Sequence, residues 1–338
     1  MSRPPMAPEE FRSTLRAIRD SLARVIVGQD TVLDHLLIAF FAGGHVLLEG
    51  VPGLGKTLLA KSFASTLGLG FKRIQCTPDL MPADILGTQL VVERDGRKLF
   101  EFAKGPVFTN ILLADEINRA TPKTQSALLE AMEERQVTVS GTTFRLEEPF
   151  FVMATQNPIE MEGTFPLPEA QLDRFLFKVQ VGYPTEDELA RILERTTTVE
   201  AAAVVPVLPP ERAAAWIVQA RHLVREVLVA KPVAERAIRA VTATHPGHDG
   251  AEAPAARMLR YGASPRGAQA MLMGAKVRAL MAGRVHVSIE DVNEMVLPAL
   301  NHRVVLSFEA EADRRTQADV VAELTAPLRT PSPAAGAR

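Results

Sequence analysis

The chain has 338 residues, of which 47% are hydrophobic and 23% charged, an ordinary globular balance with enough apolar residues for two cores. The net charge of −2 and isoelectric point near 6.4 exclude a global attraction to nucleic acid or anionic membrane. Cys76 is the single cysteine, which excludes an internal disulfide framework and fits a reducing compartment. Because neither a secretory start nor a bilayer-length apolar run occurs, we expect a cytoplasmic protein that is not inserted in a membrane.

The chain begins with a predicted helix whose apolar residues recur at helical spacing: Phe11, Leu15, Ile18 and Leu22. A second apolar-faced helix is predicted over 31–42. The Val27-Gly28-Gln29 turn between them has two interpretations. Gly28 could simply end the first helix, or the turn could border an adenine pocket with Val27 against the base.

An eight-residue turn of the form G-x-x-x-x-G-K-T then follows a short apolar strand, 45–49, and precedes a helix. It reads Gly50-Val51-Pro52-Gly53-Leu54-Gly55-Lys56-Thr57. The glycines allow the backbone to bend tightly and approach phosphate oxygens, and the helix dipole favours an anion there. This pattern predicts a phosphate-binding loop in which Lys56 reaches the β- and γ-phosphates and Thr57 binds Mg²⁺.

A continuous apolar run over 110–116 ends in two carboxylates, Asp115 and Glu116. Such a run is typical of a parallel strand that is covered on both faces, and ligand sites lie at the carboxyl ends of these strands. We therefore expect Asp115 to bind Mg²⁺ through its water shell and Glu116 to polarise an attacking water. The alternative is that Asp115 only caps the next helix.

The residues after the acidic strand predict a helix over 121–132 and leave the role of Arg119 open. Arg119 could be a solvated charge, or it could face the nucleotide of a neighbouring subunit. Two β-hairpins are predicted around this helix, over 90–102 with an Asp-Gly turn and over 136–146 with a Ser-Gly turn. Either hairpin could contact a substrate or only a neighbouring subunit.

Two further polar residues follow predicted strands or short helices. Asn157 comes after the buried strand 150–155, where its amide could hold the lytic water or merely form a turn before Pro158. Arg174 ends a short helix. Its guanidinium could neutralise charge on a γ-phosphate across a subunit interface, or it could form a surface pair with Asp173.

The composition changes at 201–210, which is rich in alanine, valine and proline and is predicted to be a linker. Helices are expected near 211–227 and 232–245, then from Ser264 and from Ser288, each with a serine cap. Residues 325–338 have the composition of a disordered tail.

Four motifs together resemble the AAA+ ATPases, and within them the MoxR family. They are Gly50–Thr57, Asp115-Glu116-Ile117-Asn118-Arg119-Ala120, Ala154-Thr155-Gln156-Asn157-Pro158 and Leu172-Asp173-Arg174-Phe175. The resemblance, which extends over roughly residues 10–320, implies a doubly wound parallel α/β core with β-hairpin inserts and a small all-helical lid. It divides the chain into a helix packed on the core (1–26), the core (27–200), the linker, the lid (211–324) and the tail.

The resemblance also implies the roles of the site residues. Lys56 and Thr57 belong to Walker A, Asp115 and Glu116 to Walker B, Asn157 is sensor 1 and Arg174 is the arginine finger. Arg266, in the first turn of a lid helix, matches sensor 2, although it could also be an ordinary exposed arginine. ATP and Mg²⁺ are the expected cofactors, with the nucleotide bound by Val27, Gly28, the loop 50–57 and Leu58.

We accordingly expect an ATP-hydrolysing motor that forms a homo-oligomeric ring, a hexamer by resemblance. The family implies chaperone-like remodelling of client complexes, often with a von Willebrand factor A domain partner. Three alternatives stay open: a nucleic-acid-stimulated motor, which the near-neutral charge disfavours, a metal-chelatase motor subunit, and a nucleotide-controlled scaffold with little turnover. The residues identify no client, and they leave open whether Arg266 acts on its own nucleotide or a neighbour's.

Overall fold

The computed structural model describes residues 6–95, 97–158, 163–197, 204–247 and 257–329. The first elements are α1 (Pro8–Ala23), α2 (Asp30–Ala42), β1 (Val46–Glu49), α3 (Lys56–Thr66), β2 (Phe71–Gln75), α4 (Pro82–Leu86), β3 (Gly87–Arg94), β4 (Arg97–Lys104) and β5 (Ile111–Asp115). A 3-10 turn (Ile117–Arg119) is followed by α5 (Pro122–Glu134), β6 (Gln136–Val139), β7 (Thr142–Arg145), β8 (Phe151–Gln156), α6 (Glu169–Leu172), β9 (Phe177–Gln180) and α7 (Glu186–Thr196).

The last third is mainly helical. It contains α8 (Pro210–Glu226), α9 (Lys231–Thr242), β10 (Leu259–Tyr261), α10 (Pro265–Met281), α11 (Ile289–Leu300), β11 (Val305–Leu306), α12 (Phe308–Ala312), α13 (Gln317–Thr325) and a 3-10 turn (Pro327–Arg329). Within the described ranges, no helix combines the length and the apolar character that crossing a membrane requires.

A five-stranded parallel sheet in the order β2-β5-β8-β1-β9 forms the centre of the molecule. Alternate residues of a strand point to opposite faces, so neighbouring residues enter different apolar layers. Val46 and Leu48 pack in the layer that contains α1, α2, α3 and the lid helices, whereas Leu47 packs in the layer that contains α5. Because both faces are covered, the inner strands β1, β5 and β8 are nearly continuous apolar runs, as the sequence predicts, whereas the edge strand β2 carries polar residues.

Both predicted hairpins are confirmed. β3 pairs antiparallel with β4 from Gly87↔Lys104 to Arg94↔Arg97, and β6 pairs with β7 from Gln136↔Arg145 to Val139↔Thr142. Phe102 of the first hairpin stacks on Phe144 of the second, with ring centroids 4.2 Å apart. The two inserts are therefore in contact with each other.

The predicted helical lid is confirmed with one addition. β10 and β11 form a two-stranded antiparallel ribbon, which sequence periodicity did not reveal because the strands are only three and two residues long. In the predicted linker, Pro210 already begins α8, Val207 donates a backbone hydrogen bond to Thr66, and 201–203 lie outside the described residues.

The prediction of a tail from residue 325 was wrong at its beginning. Thr325 is buried at the end of α13, where its hydroxyl donates to the backbone oxygen of Val321 at 2.8 Å, and the turn Pro327–Arg329 follows it. The cause is that α13 buries Val320, Val321 and Leu324, so the last helical turn packs although the residues after it are Pro- and Ala-rich. Residues 330–338 lie outside the described ranges.

Candidate nucleotide site

The loop between β1 and α3 has the backbone that a phosphate loop needs. Gly53 and Gly55 take left-handed φ values of 85° and 72°, which glycine adopts without steric cost. The Lys56 ammonium lies inside the loop, where it donates to the backbone oxygens of Gly50 at 2.5 Å and Val51 at 3.2 Å. Burial lowers the pKa of Lys56, and the charges of Asp115 and Glu116 oppose this shift. The loop backbone therefore surrounds a cation at the N-terminus of α3.

Thr155 connects the two carboxylate residues at the end of β5. Its hydroxyl donates to Asp115 Oδ1 at 2.6 Å and accepts the backbone N–H of Glu116 at 2.8 Å. Glu116 has a left-handed φ of 56°, which is uncommon for a residue with a side chain. Thr155 thus fixes both the rotamer of Asp115 and the backbone turn that directs Glu116.

Polar residues of β2 reach the same carboxylates. Arg73 donates to Asp115 Oδ2 from Nη2 at 2.7 Å and from Nε at 3.1 Å. Gln75 donates to Glu116 Oε2 at 2.9 Å, and Arg119 approaches that oxygen at 3.1 Å with 42% of its side chain exposed. A cation that approaches Asp115 therefore competes with the Arg73 guanidinium.

The strand order brings Asn157 into the site. It directly follows β8, which lies between β5 and β1 in the sheet. The backbone N–H of Gly50 donates to the oxygen of Gln156 at 3.2 Å, which joins the end of β8 to the start of the phosphate loop. Because parallel strands end at one edge, buried Asn157 lies between the acidic pair and the loop.

The donor set suits a hard divalent cation. Thr57 offers a hydroxyl in the first turn of α3, and Asp115 offers a carboxylate at the neighbouring strand end. Mg²⁺ prefers oxygen ligands and is commonly held by one or two side chains together with phosphate and water. In the part of the chain that the structure describes, no group of three or more His, Cys, Asp or Glu could hold a metal. Thr57 and Asp115 therefore fit a Mg²⁺ ion that protein and nucleotide hold together.

A cleft of about 310 Å³ adjoins the phosphate loop, with Val27 and Gly28 on its wall. Leu58 and Leu189 line it as well and are 48% and 47% exposed, so large apolar surfaces face an open space. Gly28 does not end α1, which stops at Ala23. Its φ is 72°, and a Cβ there would lie 2.3 Å from Cδ of Glu188. Gly28 therefore permits α7 to approach and close one side of the cleft.

Arg174 and Arg266 meet each other at the opposite edge of the sheet. Arg174 Nε lies 3.2 Å from Glu133 Oε2, and Arg266 Nη2 lies 2.6 Å from Glu133 Oε1. The two side chains are 31% and 45% exposed. They line a cleft of about 300 Å³ together with Gly43, Gly44, His45, Met132, Arg135, Leu176 and Arg303.

This arginine cleft is separated from the phosphate loop by the length of the sheet. Gly44 and His45 immediately precede β1, whereas the phosphate loop immediately follows it. A strand of four residues spans roughly 13 Å. The structure thus brings Lys56, Thr57, Asp115, Glu116 and Asn157 together, and it brings Arg174 and Arg266 together elsewhere.

Sequence reasoning missed several residues that contact the site: Arg73, Gln75, Glu133, Thr155 and Arg303. Arg73 and Gln75 are two residues apart on the edge strand β2. This alternation indicates, although weakly, that both side chains lie on the same face of the sheet. Thr155 precedes Gln156 and Asn157 within a buried strand, where a hydroxyl needs a partner. No local pattern indicates Glu133 or Arg303, because their partners are distant in the chain.

The core and the lid each match a known protein family. A family model described as "ATPase family associated with various cellular activities (AAA)" matches residues 45–177, and one described as an AAA lid domain matches 251–324. Chaperone MoxR1 of Mycobacterium tuberculosis is 43% identical over 90% of this chain and 78% of its own length. Protein MoxR of Methylorubrum extorquens is 33% identical over 88% of this chain and 89% of its own.

A crystal structure of a protein from Cytophaga hutchinsonii superposes with a TM-score of 0.86 at 40% identity, covering 94% of this chain and 95% of that one. The similarity therefore includes the core, the lid and the connection between them. The chain belongs to the MoxR family of AAA+ ATPases.

Proposed function

We propose that this protein hydrolyses ATP with Mg²⁺ in sites shared between copies of the chain. The observation that carries the proposal is the convergence of Arg174 and Arg266 on Glu133, at the sheet edge opposite the phosphate loop. In this arrangement neither guanidinium is beside its own loop. Both are partly exposed and are available to a nucleotide that a neighbouring copy presents.

Within one chain, the residues at the carboxyl edge of the sheet would each have a separate role in ATP binding or hydrolysis. Lys56 would bind the β- and γ-phosphates, Glu116 would polarise the attacking water, and Asn157 would hold that water. Thr57 and Asp115 would hold Mg²⁺, whose charge offsets that of the phosphate oxygens. Val27, Gly28 and Leu58 would pack against the base, because the cleft that they line adjoins the loop.

The neighbouring copy would supply the missing positive charge. We assign Arg174 as the arginine finger and Arg266 as a sensor of the γ-phosphate, both acting in trans. Their shared partner Glu133 keeps the two guanidiniums pointed into one cleft, so that one phosphate group can contact both. This arrangement favours a closed ring of identical subunits, and we expect six.

The ring would use turnover to remodel client protein complexes. The name Chaperone MoxR1 of one relative supports this role. The middle of the first hairpin, where Phe100 is 75% exposed and pairs with Val91, which is 58% exposed, is an apolar surface that is available to clients or to a partner. We further propose a von Willebrand factor A domain protein as partner, on family resemblance alone.

Phosphate release measured against protein concentration tests the hydrolytic part of the proposal. For wild type we expect the specific activity to rise as protomers associate. Glu116→Gln should bind a fluorescent ATP analogue with ordinary affinity and release almost no phosphate, because the carboxylate that polarises water is gone. If Glu116→Gln retained the biological activity of the protein, a nucleotide-controlled scaffold would be the better description.

A further inference from the structure

The turn 173–176, which carries Arg174, is held by a buried arginine of the lid. Arg303 follows α11, its side chain is only 2% exposed, and its Nε lies 2.7 Å from Asp173 Oδ1. A buried cation is tolerated only when it is paired and hydrogen-bonded. The partners of Arg303 therefore indicate what the residue does.

All the donors of the Arg303 guanidinium have acceptors. Nε donates to Asp173 Oδ1 at 2.7 Å, Nη2 donates to the backbone oxygens of Asp173 at 3.1 Å and Phe175 at 2.7 Å, and Nη1 donates to the backbone oxygens of Leu176 at 3.1 Å and Ala299. A guanidinium has five N–H groups in a fixed fork, and here four of the five acceptors belong to the turn 173–176. A lysine has three donors and could not reproduce this set.

Other lid residues hold the same segment. The Ser264 hydroxyl, at the start of α10, lies 2.9 Å from each carboxylate oxygen of Asp173. His302 Nε2 lies 3.0 Å from the backbone oxygen of Phe175, and Asn301 donates to that of Lys178 at 3.2 Å, in β9 just after the turn. Two separate parts of the lid, the start of α10 and the residues after α11, thus bind the turn that contains Arg174.

The Arg174 side chain contacts Glu133 of α5, which Arg266 of the lid also contacts. Arg174 therefore lies where the core and the lid meet. Because lid residues bind the backbone of its turn, we expect that backbone to move with the lid. We propose that Arg303 is a positioning residue that couples the orientation of the lid to the reach of Arg174 toward the neighbour's nucleotide. This inference rests on the proposed function, since it requires that Arg174 act across an interface.

The lid offers a control for the loss of an arginine that contacts a buried carboxylate, at a position where the arginine itself is 31% exposed. Arg284 donates to Asp291 at 2.7 and 2.8 Å, and Asp291 is fully buried. This pair lies within the lid, next to the start of α11, and makes no contact with the turn 173–176. Arg284→Lys should perturb lid packing without acting on the finger.

The test compares Arg303→Lys with Arg284→Lys, alone and in mixtures of protomers. We expect Arg303→Lys to reduce turnover by roughly tenfold or more, because small displacements of a catalytic group are costly, while its affinity for a fluorescent ATP analogue stays the same. Adding Lys56→Ala protomers, whose finger-bearing turns are intact, should restore much of the activity. Adding Arg174→Ala protomers should not. Asp173→Asn is the second variant, with the same pattern expected, and thermal unfolding reports whether each variant folds.

Three results would overturn the inference. Arg303→Lys and Asp173→Asn could lose no more activity than Arg284→Lys, the loss could appear in nucleotide affinity, or Lys56→Ala protomers could fail to restore turnover. A different result addresses the proposed function itself. If Arg174→Ala were fully active, the shared site would be wrong and Arg303 would have no finger to position.

Discussion

Thr155 and Asp115 share a buried hydrogen bond of 2.6 Å across neighbouring strands, and the same Thr155 oxygen accepts the backbone N–H of Glu116. One hydroxyl therefore orients the proposed metal ligand and the proposed catalytic carboxylate together. Its position on β8 also sets both residues relative to Asn157, two residues further along the chain.

Thr155→Val should reduce turnover by roughly tenfold or more, because the methyl group that replaces the hydroxyl cannot hold either residue in place. We expect Thr155→Ser to retain most of the activity. Thr143→Val, in an exposed hairpin position, is the matched control and should change nothing in the site. Steady-state turnover together with binding of an ATP analogue measures the effect. A Thr155→Val protein as active as Thr155→Ser would show that the hydroxyl has no orienting role.

Arg73 should raise the Mg²⁺ concentration that the protein needs, because its guanidinium contacts Asp115 Oδ2 at 2.7 and 3.1 Å. We expect Arg73→Gln to lower the concentration for half-maximal turnover by roughly fivefold, which corresponds to about 1 kcal/mol for a lost hydrogen-bonded contact. The control is Lys72→Gln, which removes the same charge from an exposed neighbouring position on β2. A Mg²⁺ requirement that is unchanged or higher in Arg73→Gln would contradict this competition.

Local patterns predicted the phosphate loop, the acidic strand end and both hairpins because each depends on residues close in sequence. Local sequence determines the conformation of three segments. They are the glycine loop, the apolar run before Asp115 and the Ser-Gly turn at 140–141. The meeting of Arg174 with Arg266 was not predictable in this way, since Glu133, which joins them, is 41 residues from one and 133 from the other. The five acceptors of Arg303 are likewise a property of tertiary packing.

Gly28→Ala should weaken nucleotide binding severalfold and destabilise the fold by about 1 kcal/mol, because alanine is strained at the φ of 72° and its Cβ would meet Glu188. The Glu188 carboxylate could turn away only by losing the hydrogen bond that it accepts from the backbone N–H of Thr185 at the start of α7. Thermal unfolding and titration with a fluorescent ATP analogue measure the two effects. Gly182→Ala, where a new Cβ meets nothing within 4 Å, should unfold like wild type. Gly182 also lines the cleft, so it is a control for unfolding only. Equal unfolding of the two variants would refute the packing explanation.

His45 should make the fold less stable in acid. Its Nδ1 accepts the backbone N–H of Val152 at 3.0 Å, so Nε2 carries the proton toward the oxygen of Met132 at 3.1 Å. Burial lowers the pKa of His45 to about 4, below the roughly 6.5 of an unfolded histidine. The unfolded chain therefore binds the proton first, and the free energy of unfolding falls as the pH drops from about 6.5 toward 4.

Denaturant unfolding at pH 7 and pH 4.5 isolates this contribution when wild type is compared with His45→Gln. The histidine should account for about 2 to 3 kcal/mol of the decrease in wild type, and His45→Gln should lack that part. His302, whose pKa burial also lowers, titrates in both proteins and cancels in the comparison. An identical pH dependence in the two proteins would mean that His45 does not titrate as its burial predicts.

The most direct measurement is the turnover of mixtures of Lys56→Ala and Arg174→Ala protomers. Each variant alone should be nearly inactive, because the first lacks a sound phosphate loop and the second lacks a finger. In a mixture, Arg174→Ala protomers would contribute sound loops and Lys56→Ala protomers would contribute sound fingers, so turnover should rise well above the sum of the two. Mixtures that stay as inactive as their components, or an Arg174→Ala protein that is active at every concentration, would contradict a site shared between copies of the chain.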